Sequence, residues 1–356
     1  MGDGLLCFCR AGFEPELAAE LGERAALAGH PGHARTSRGS GLVEFFPADG
    51  DATGLDHALR FRDLVFARQK LLRLAELREL EGGDRVGPVL RVLDTLAAGG
   101  LPPFGQLWVE HADSDDGRPL AGLARSFGNA LRPALRKAGR LTPRDEPAAP
   151  RLHVVLLGGR HLLLARSHPA DSAPWPLGIP RLRMHPDAPS RSALKLEEAL
   201  LVLLAPGDRE RLLREGMQGA DLGAAPGGWS WVLARHGLMV TAVDNGPMHE
   251  ELLAAGRVRH VREDGFRWQP RQKLDWMVCD MVEQPRRVAA RMAEWFANDW
   301  CRRAVFNLKL PMKKRWDETR LCLDLFTSQA GYPVRLRARQ LYHDREEITV
   351  YASSVD

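Results

Sequence analysis

From about residue 212 to residue 309 the chain repeats one pattern: a short apolar run ends on an acid, a glycine or a lysine, and a stretch of different periodicity follows. The runs are Met217–Leu222, Leu238–Val243, Arg257–Val261, Leu274–Cys279 and Ala304–Leu308, and they end at Gly223, Asp244, Glu263-Asp264-Gly265, Asp280 and Lys309. Such runs predict strands, and Trp229–His236 between the first two has helical character. An α/β sheet of this kind gathers its ligands at the carboxyl ends of its strands, so these residues are expected to converge on one crevice. Any one Asp here is an ordinary helix cap or turn residue; several in register point to a site. Pro333–Leu341 and Glu347–Ala352 predict two further strands, a closing hairpin that returns Glu347 towards Lys309. In the first of them Arg335, Arg337 and Arg339 alternate with apolar residues, giving one apolar and one cationic face.

The first half reads differently. Leu5–Cys9, Gly41–Phe46 and Leu64–Leu72 predict strands, and Leu17, Ala18, Leu21 and Ala25 place a helix over Glu14–Leu27, stopped at Gly29. Val86–Ala98 and Leu120–Gly139 predict helices and Gln106–His111 a strand. Leu152–Leu157 and His161–Ala165 flank Gly158-Gly159 as a hairpin. Between 118 and 151 eight basic residues (Arg118, Arg125, Arg132, Arg136, Lys137, Arg140, Arg144, Arg151) face only Asp145 and Glu146. The patch suits a phosphate-rich partner or is a solvated helix face. Six prolines between Ser167 and Ser192 predict an extended linker over 169–189, after which Ser192 is placed to cap a helix.

Composition changes this picture in three places. No apolar run approaches the roughly 18 residues of a membrane span, and no secretory pattern is evident, which predicts a cytoplasmic protein with no membrane association. The five cysteines show no C-x-x-C spacing, so no metal is expected. Only seven of the 50 basic side chains are lysines. Lysine can be tuned to give up its proton and arginine cannot, which singles out Lys195, in an apolar context, and Lys309, at a fifth strand end, for chemistry.

The most informative stretch is Asp221-Leu-Gly-Ala-Ala-Pro-Gly-Gly-Trp229, a strand, a glycine-rich turn and a helix start of the kind that receives a bound molecule. No G-x-G-x-x-G is present and Pro226 lacks an N–H, which disfavours a nicotinamide enzyme. Together with Ser-Arg-Ser-Ala-Leu-Lys195, Val-Asp244-Asn-Gly-Pro-Met, Glu-Asp264-Gly-Phe, Cys-Asp280-Met, Phe-Asn-Leu-Lys309-Leu-Pro-Met-Lys-Lys and Tyr-His-Asp-Arg-Glu-Glu347, this stretch resembles the bacterial large-subunit rRNA ribose methyltransferase M family. That family sits within the heat-shock-related ribose 2'-O-methyltransferases. The resemblance is close over 175–352 and looser over 1–165. It implies a C-terminal Rossmann-like methyltransferase domain over 190–356. Before it come a ferredoxin-like region over 1–75 and a THUMP-like RNA-binding domain over 76–168, together an α+β RNA-binding region. It also implies S-adenosylmethionine as donor, a catalytic tetrad falling on Lys195, Asp280, Lys309 and Glu347, and donor contacts at Ser192, Ala225, Pro226, Gly227, Gly228, Asp244, Asp264 and Asp280. A cytidine of large-subunit rRNA is the implied target, and a monomer is expected.

A ribose hydroxyl is a weak nucleophile, so transfer needs a base and close alignment. Lys309 is the expected base. Competing readings lack support: Cys-Asp280-Met-Val has no Asp-Pro-Pro-aromatic motif for amino-group methylation, and Cys279 reads as core rather than nucleophile. A non-catalytic RNA-binding assembly factor with a vestigial fold is the alternative, which the intact tetrad argues against.

Overall fold

The computed structural model describes residues 4–355, which divide into two compact units between Pro180 and Arg181. In the first, β1 (Leu5–Phe8), α1 (Glu14–Leu27), β2 (Gly32–Thr36), β3 (Leu42–Pro47), α2 (Ala52–Ala58) and β4 (Gln69–Leu77) are followed by α3 (Val86–Ala98), β5 (Gln106–His111), α4 (Ala121–Lys137), β6 (Arg151–Gly158) and β7 (His161–Ser167). Their strands form one sheet in the order β2-β3-β1-β4-β7-β6-β5. The boundary expected at residue 75 falls inside β4, which pairs with β1 on one side and β7 on the other, so the two N-terminal regions share a sheet. Leu131 and Leu135 of α4 and Val89 and Leu93 of α3 bury one core against Leu107, Leu152 and Val154. Each such side chain contributes about 1.5–3 kcal/mol.

Three expectations change here. The strand expected at Leu64–Leu72 begins only at Gln69; the buried amides of Val65 and Phe66 are taken by the Glu20 carboxylate at 2.7 and 2.9 Å instead of by a ladder. The proline-rich stretch is not one extended linker: Ala173, Leu177 and Ile179 are buried in the first unit. Nor is the basic patch free, since Arg132 and Arg136 reach Asp145, Arg140 reaches Asp94, and Arg151 is buried against Gln106 and Ser172. Arg125, Lys137 and Arg144 are left without an acidic partner among the described residues.

Two buried polar clusters hold the strap of 168–180 in place. Ser167 Oγ lies 2.8 Å from His153 Nε2, His153 Nδ1 lies 2.6 Å from Glu110 Oε2, and the other Glu110 oxygen accepts the Leu177 amide at 2.6 Å. The order mimics a hydrolase triad, but the three side chains are buried and Glu110 is committed to the strap. Lys70, also buried, points its ammonium at the carbonyls of Asp56 and Leu59 and at the Asp56 and Asp171 carboxylates, all within 2.6–2.9 Å. Removing Glu110 strands a buried imidazole and a buried amide, so Glu110→Ala is expected to cost about 3 kcal/mol of stability, read as an earlier melting transition.

The second unit contains α5 (Ala193–Val202), α6 (Asp208–Leu212), β8 (Gln218–Leu222), α7 (Gly228–Arg235), β9 (Met239–Val243), α8 (Glu250–Ala254), β10 (Val258–Val261) and β11 (Leu274–Cys279). It continues with α9 (Pro285–Ala297), β12 (Cys301–Lys309), α10 (Arg315–Gln329), β13 (Val334–Arg339) and β14 (Glu347–Ser354). The sheet order is β10-β9-β8-β11-β12-β14-β13; the first five strands are parallel, and β14 inserts antiparallel between β12 and β13. Helices cover both faces, which explains why β8, β11 and β12 are buried along most of their length. Leu196, Leu200 and Val232 pack on one face, and Phe306 stacks on Phe326 of α10 on the other. The cationic face expected on β13 is not free: Arg339 is buried, and Arg337 donates to the Leu203 carbonyl.

Candidate active site

The carboxyl edge of the parallel strands collects the residues singled out above. Lys309 closes β12 and Glu347 opens β14, directly opposite one another in the ladder. Asp280 follows β11, the other neighbour of β12, and Lys195 lies in the first turn of α5. Lys195 Nζ is 3.3 Å from Asp280 Oδ2 and 2.5 Å from Glu347 Oε1. Lys309 Nζ bonds Glu347 Oε2 and lies 3.6 Å from Asp280 Oδ1. The four side chains therefore form one alternating ring of charge. Glu347 is 3% exposed whereas Lys309 is 30% exposed, so the ring opens to solvent at Lys309.

Electrostatics sets the charge of two members of the ring. Burial works against the Lys195 ammonium, but attraction to Asp280 and Glu347 outweighs it and raises its pKa. Burial likewise opposes the Glu347 carboxylate, yet Lys195 and Lys309 hold its pKa below the usual value. Lys195 thus keeps its proton.

Several residues that complete the ring are not apparent from the strand ends. Asn307, two positions before Lys309 and on the same strand face, donates to Asp280 Oδ1 at 2.8 Å. Thr349, opposite Asn307, donates to its Oδ1 at 2.7 Å and also touches Asp344 at 3.1 Å. Burial together with the Glu347 and Glu198 charges raises the Asp344 pKa well above its ordinary value. Glu198, one turn beyond Lys195, accepts the amides of Tyr342 and His343 and fixes α5 to that loop. A polar Asn307 within the buried run Ala304–Leu308 is the one sequence signal for this chain of hydrogen bonds.

On the other side of the edge, Gly223 has φ +75° and a side chain there would meet Met281 at 2.6 Å. Gly227 has φ +117° and immediately precedes α7; a Cβ on Gly228 would come within 2.3 and 2.5 Å of the Ser192 and Ser190 hydroxyls. Ser192 precedes α5 but does not cap it: its hydroxyl bonds Ser190 at 2.6 Å, and its carbonyl accepts the Trp229 indole N–H at 2.9 Å. Asp244 accepts the Ala225 amide at 3.0 Å and the Gly246 amide at 2.7 Å, and so fixes the turn's shape. Pro226 is exposed, and its carbonyl accepts the His249 amide. Asp264 is exposed and bonds the Phe266 amide; its neighbour Gly265 lies against Met281 and Leu222. Asp221 lies inside β8, where burial pushes its pKa to about 7 against a hydrogen bond from Ser230. Among the described residues no cluster of His, Cys, Asp and Glu could hold a metal ion, and no helix is long and apolar enough to cross a membrane.

Comparison with known proteins matches three consecutive segments: the RlmM ferredoxin-like domain over residues 2–71, the N-terminal region of ribosomal RNA large subunit methyltransferase M over 84–168, and the FtsJ-like methyltransferase over 188–331. A protein named ribosomal RNA large subunit methyltransferase M from Xanthomonas campestris pv. campestris (strain B100) is 64% identical over 349 residues, 98% of this chain and 99% of its own length. The chain belongs to the ribosomal RNA large subunit methyltransferase M family. A second member, from Stenotrophomonas maltophilia (strain R551-3), is 63% identical over 352 residues, 99% of this chain and 97% of its own. Among solved structures, TrmN from Thermus thermophilus is 20% identical over 99% of this chain and all of that one, at a TM-score of 0.34. Membership rests on the sequence matches, which span both units, and it makes the protein a methyltransferase with a ferredoxin-like N-terminal domain.

Proposed function

We propose that this methyltransferase transfers the methyl group of S-adenosylmethionine to the ribose 2'-oxygen of a cytidine in 23S rRNA, with Lys309 as the base. The observation that carries the reading is the ring formed by Lys195, Asp280, Lys309 and Glu347 at the mouth of the strand-end crevice. The bound donor supplies a sulfonium methyl, which is an electrophile without further activation. The remaining residues of the edge suit that donor. The N–H groups at the start of α7 face the turn, Ser192 lies beside Gly228, and Ala225, Pro226, Gly227 and Gly228 shape the turn. The Asp244 oxygens keep lone pairs for ribose hydroxyls, and Asp264 and Asp280 follow β10 and β11 on the same edge. Lys309, the more exposed lysine of the ring, takes the hydroxyl proton when it is in its neutral amine form, and becomes the ammonium that Glu347 and Asp280 hold. Lys195, held cationic, stabilises the oxygen as it gains negative charge. Asp280, oriented by Asn307, and Glu347 align both amines.

Labelled donor and protein-free large-subunit rRNA test this reading. Label is expected on a ribose oxygen at a single cytidine. Donor binding without transfer to naked or assembling large-subunit RNA would instead identify a non-catalytic assembly factor.

A further inference from the structure

A cavity of about 380 Å³ lies on the second unit between the segment 182–188 and helices α5 and α7. Its centrepiece is Trp231, whose ring is 5.2 Å from that of His185 and 5.1 Å from the Arg235 guanidinium. Arg183 and Arg235 are exposed at its rim with no acidic partner among the described residues, whereas Arg209 is paired with Glu197 at 2.6 Å. His185 also faces Asp187, which is largely exposed. At the back of the cavity, burial and the Arg209 charge lower the His236 pKa, which leaves a neutral ring whose Nε2 accepts from Arg209 at 3.1 Å. The volume falls in the range of ligand sites. An aromatic face with unpaired guanidinium groups beside it is the chemistry that stacks a base and neutralises its phosphate.

We infer that this cavity is a subsite for an unpaired nucleotide of the RNA substrate, outside the catalytic crevice, with the base against Trp231 and the phosphate held by Arg183 and Arg235. The inference rests on the proposed RNA substrate. Location supports it: Leu194 of the cavity adjoins Lys195 of the ring, and Trp231 lies one turn, about 5 Å, along α7 from Gly228. A nucleotide held here would therefore position a neighbour of the target along the same strand.

The test uses the full chain and a labelled single-stranded oligocytidylate of about ten nucleotides, with S-adenosylhomocysteine as the donor-site probe. Trp231→Ala and Arg235→Gln are expected to weaken oligonucleotide binding, Trp231→Ala by roughly 5- to 150-fold, and to raise KM for rRNA. Affinity for S-adenosylhomocysteine should not change. Trp231→Phe, which keeps a stacking face and the packing, should retain most of the binding and guards against a folding defect in the alanine variant. Oligonucleotide affinity within twofold of wild type in both Trp231→Ala and Arg235→Gln overturns the subsite. Saturable binding of free cytidine monophosphate that these variants abolish, with oligonucleotide affinity intact, overturns it in favour of a free-nucleotide site. Protein that binds donor and oligonucleotide but transfers no methyl group fails the proposed reaction, while the variants' binding still decides the subsite.

Discussion

Lys309→Ala is expected to lower kcat by about 10²–10⁴-fold, the range lost with a general base, while S-adenosylhomocysteine binding stays within a few fold of wild type. Of the donor contacts proposed above only Asp280 adjoins Lys309, at 3.6 Å, and Asn307 and Lys195 still hold it when the Lys309 side chain is removed. Lys309→Arg should fold and bind donor equally well but stay inactive, because arginine preserves the charge and cannot take up a proton. That variant separates the roles of base and cation. Turnover near the wild-type rate in Lys309→Arg would remove Lys309 from proton transfer and leave it an electrostatic role.

Glu347→Gln removes the anion to which both lysines bind and leaves two amines side by side. Breaking a fully buried pair costs about 3–5 kcal/mol. Lys195 is 16% and Lys309 30% exposed, so solvent screens part of this and about 1–3 kcal/mol is expected at pH 7. The dependence on pH has a definite sign. The folded protein holds the Glu347 pKa below the ordinary 4.5, so its contribution is complete above that value and disappears as the pH falls through the lowered folded value. Melting curves of wild type and variant should therefore lie apart at pH 7 and converge as the pH falls through the lowered Glu347 value. A constant separation across that range would mean that Glu347 acts through packing and not through charge.

Much of this site is legible in the sequence because strand ends are. Alternation and run length locate β8, β9, β11 and β12, and once those are parallel neighbours Asp244, Asp280 and Lys309 must share an edge. The helix Val86–Ala98 and the strand Gln106–His111 likewise carry their bounds in their periodicity. What escapes is set by tertiary context. β2, Gly32–Thr36, is polar and largely exposed along its length, an edge strand held by pairing with β3 and carrying no apolar signature. Leu64–Ala67 is apolar and buried without being a strand, because a carboxylate 45 residues away supplies the acceptors for its amides. The proline-rich stretch looks like a linker since nothing local announces that Glu110 will bind Leu177. Asn307, Thr349 and Asp344 form their chain only when β12, β14 and the loop before β14 meet.

The scarcity of lysine marks Lys195 and Lys309, and the structure adds Lys70 for a different reason. Four oxygens from α2, the turn that follows it and the strap converge on its ammonium at distances that would suit a dehydrated ion. In the language of ion coordination, Lys70 is a tethered monovalent cation occupying an oxygen cage, a place where the flat, forked guanidinium has the wrong shape. The corner it closes consequently needs no ion from solution: what a potassium site would make dependent on the surrounding salt is here written into the chain.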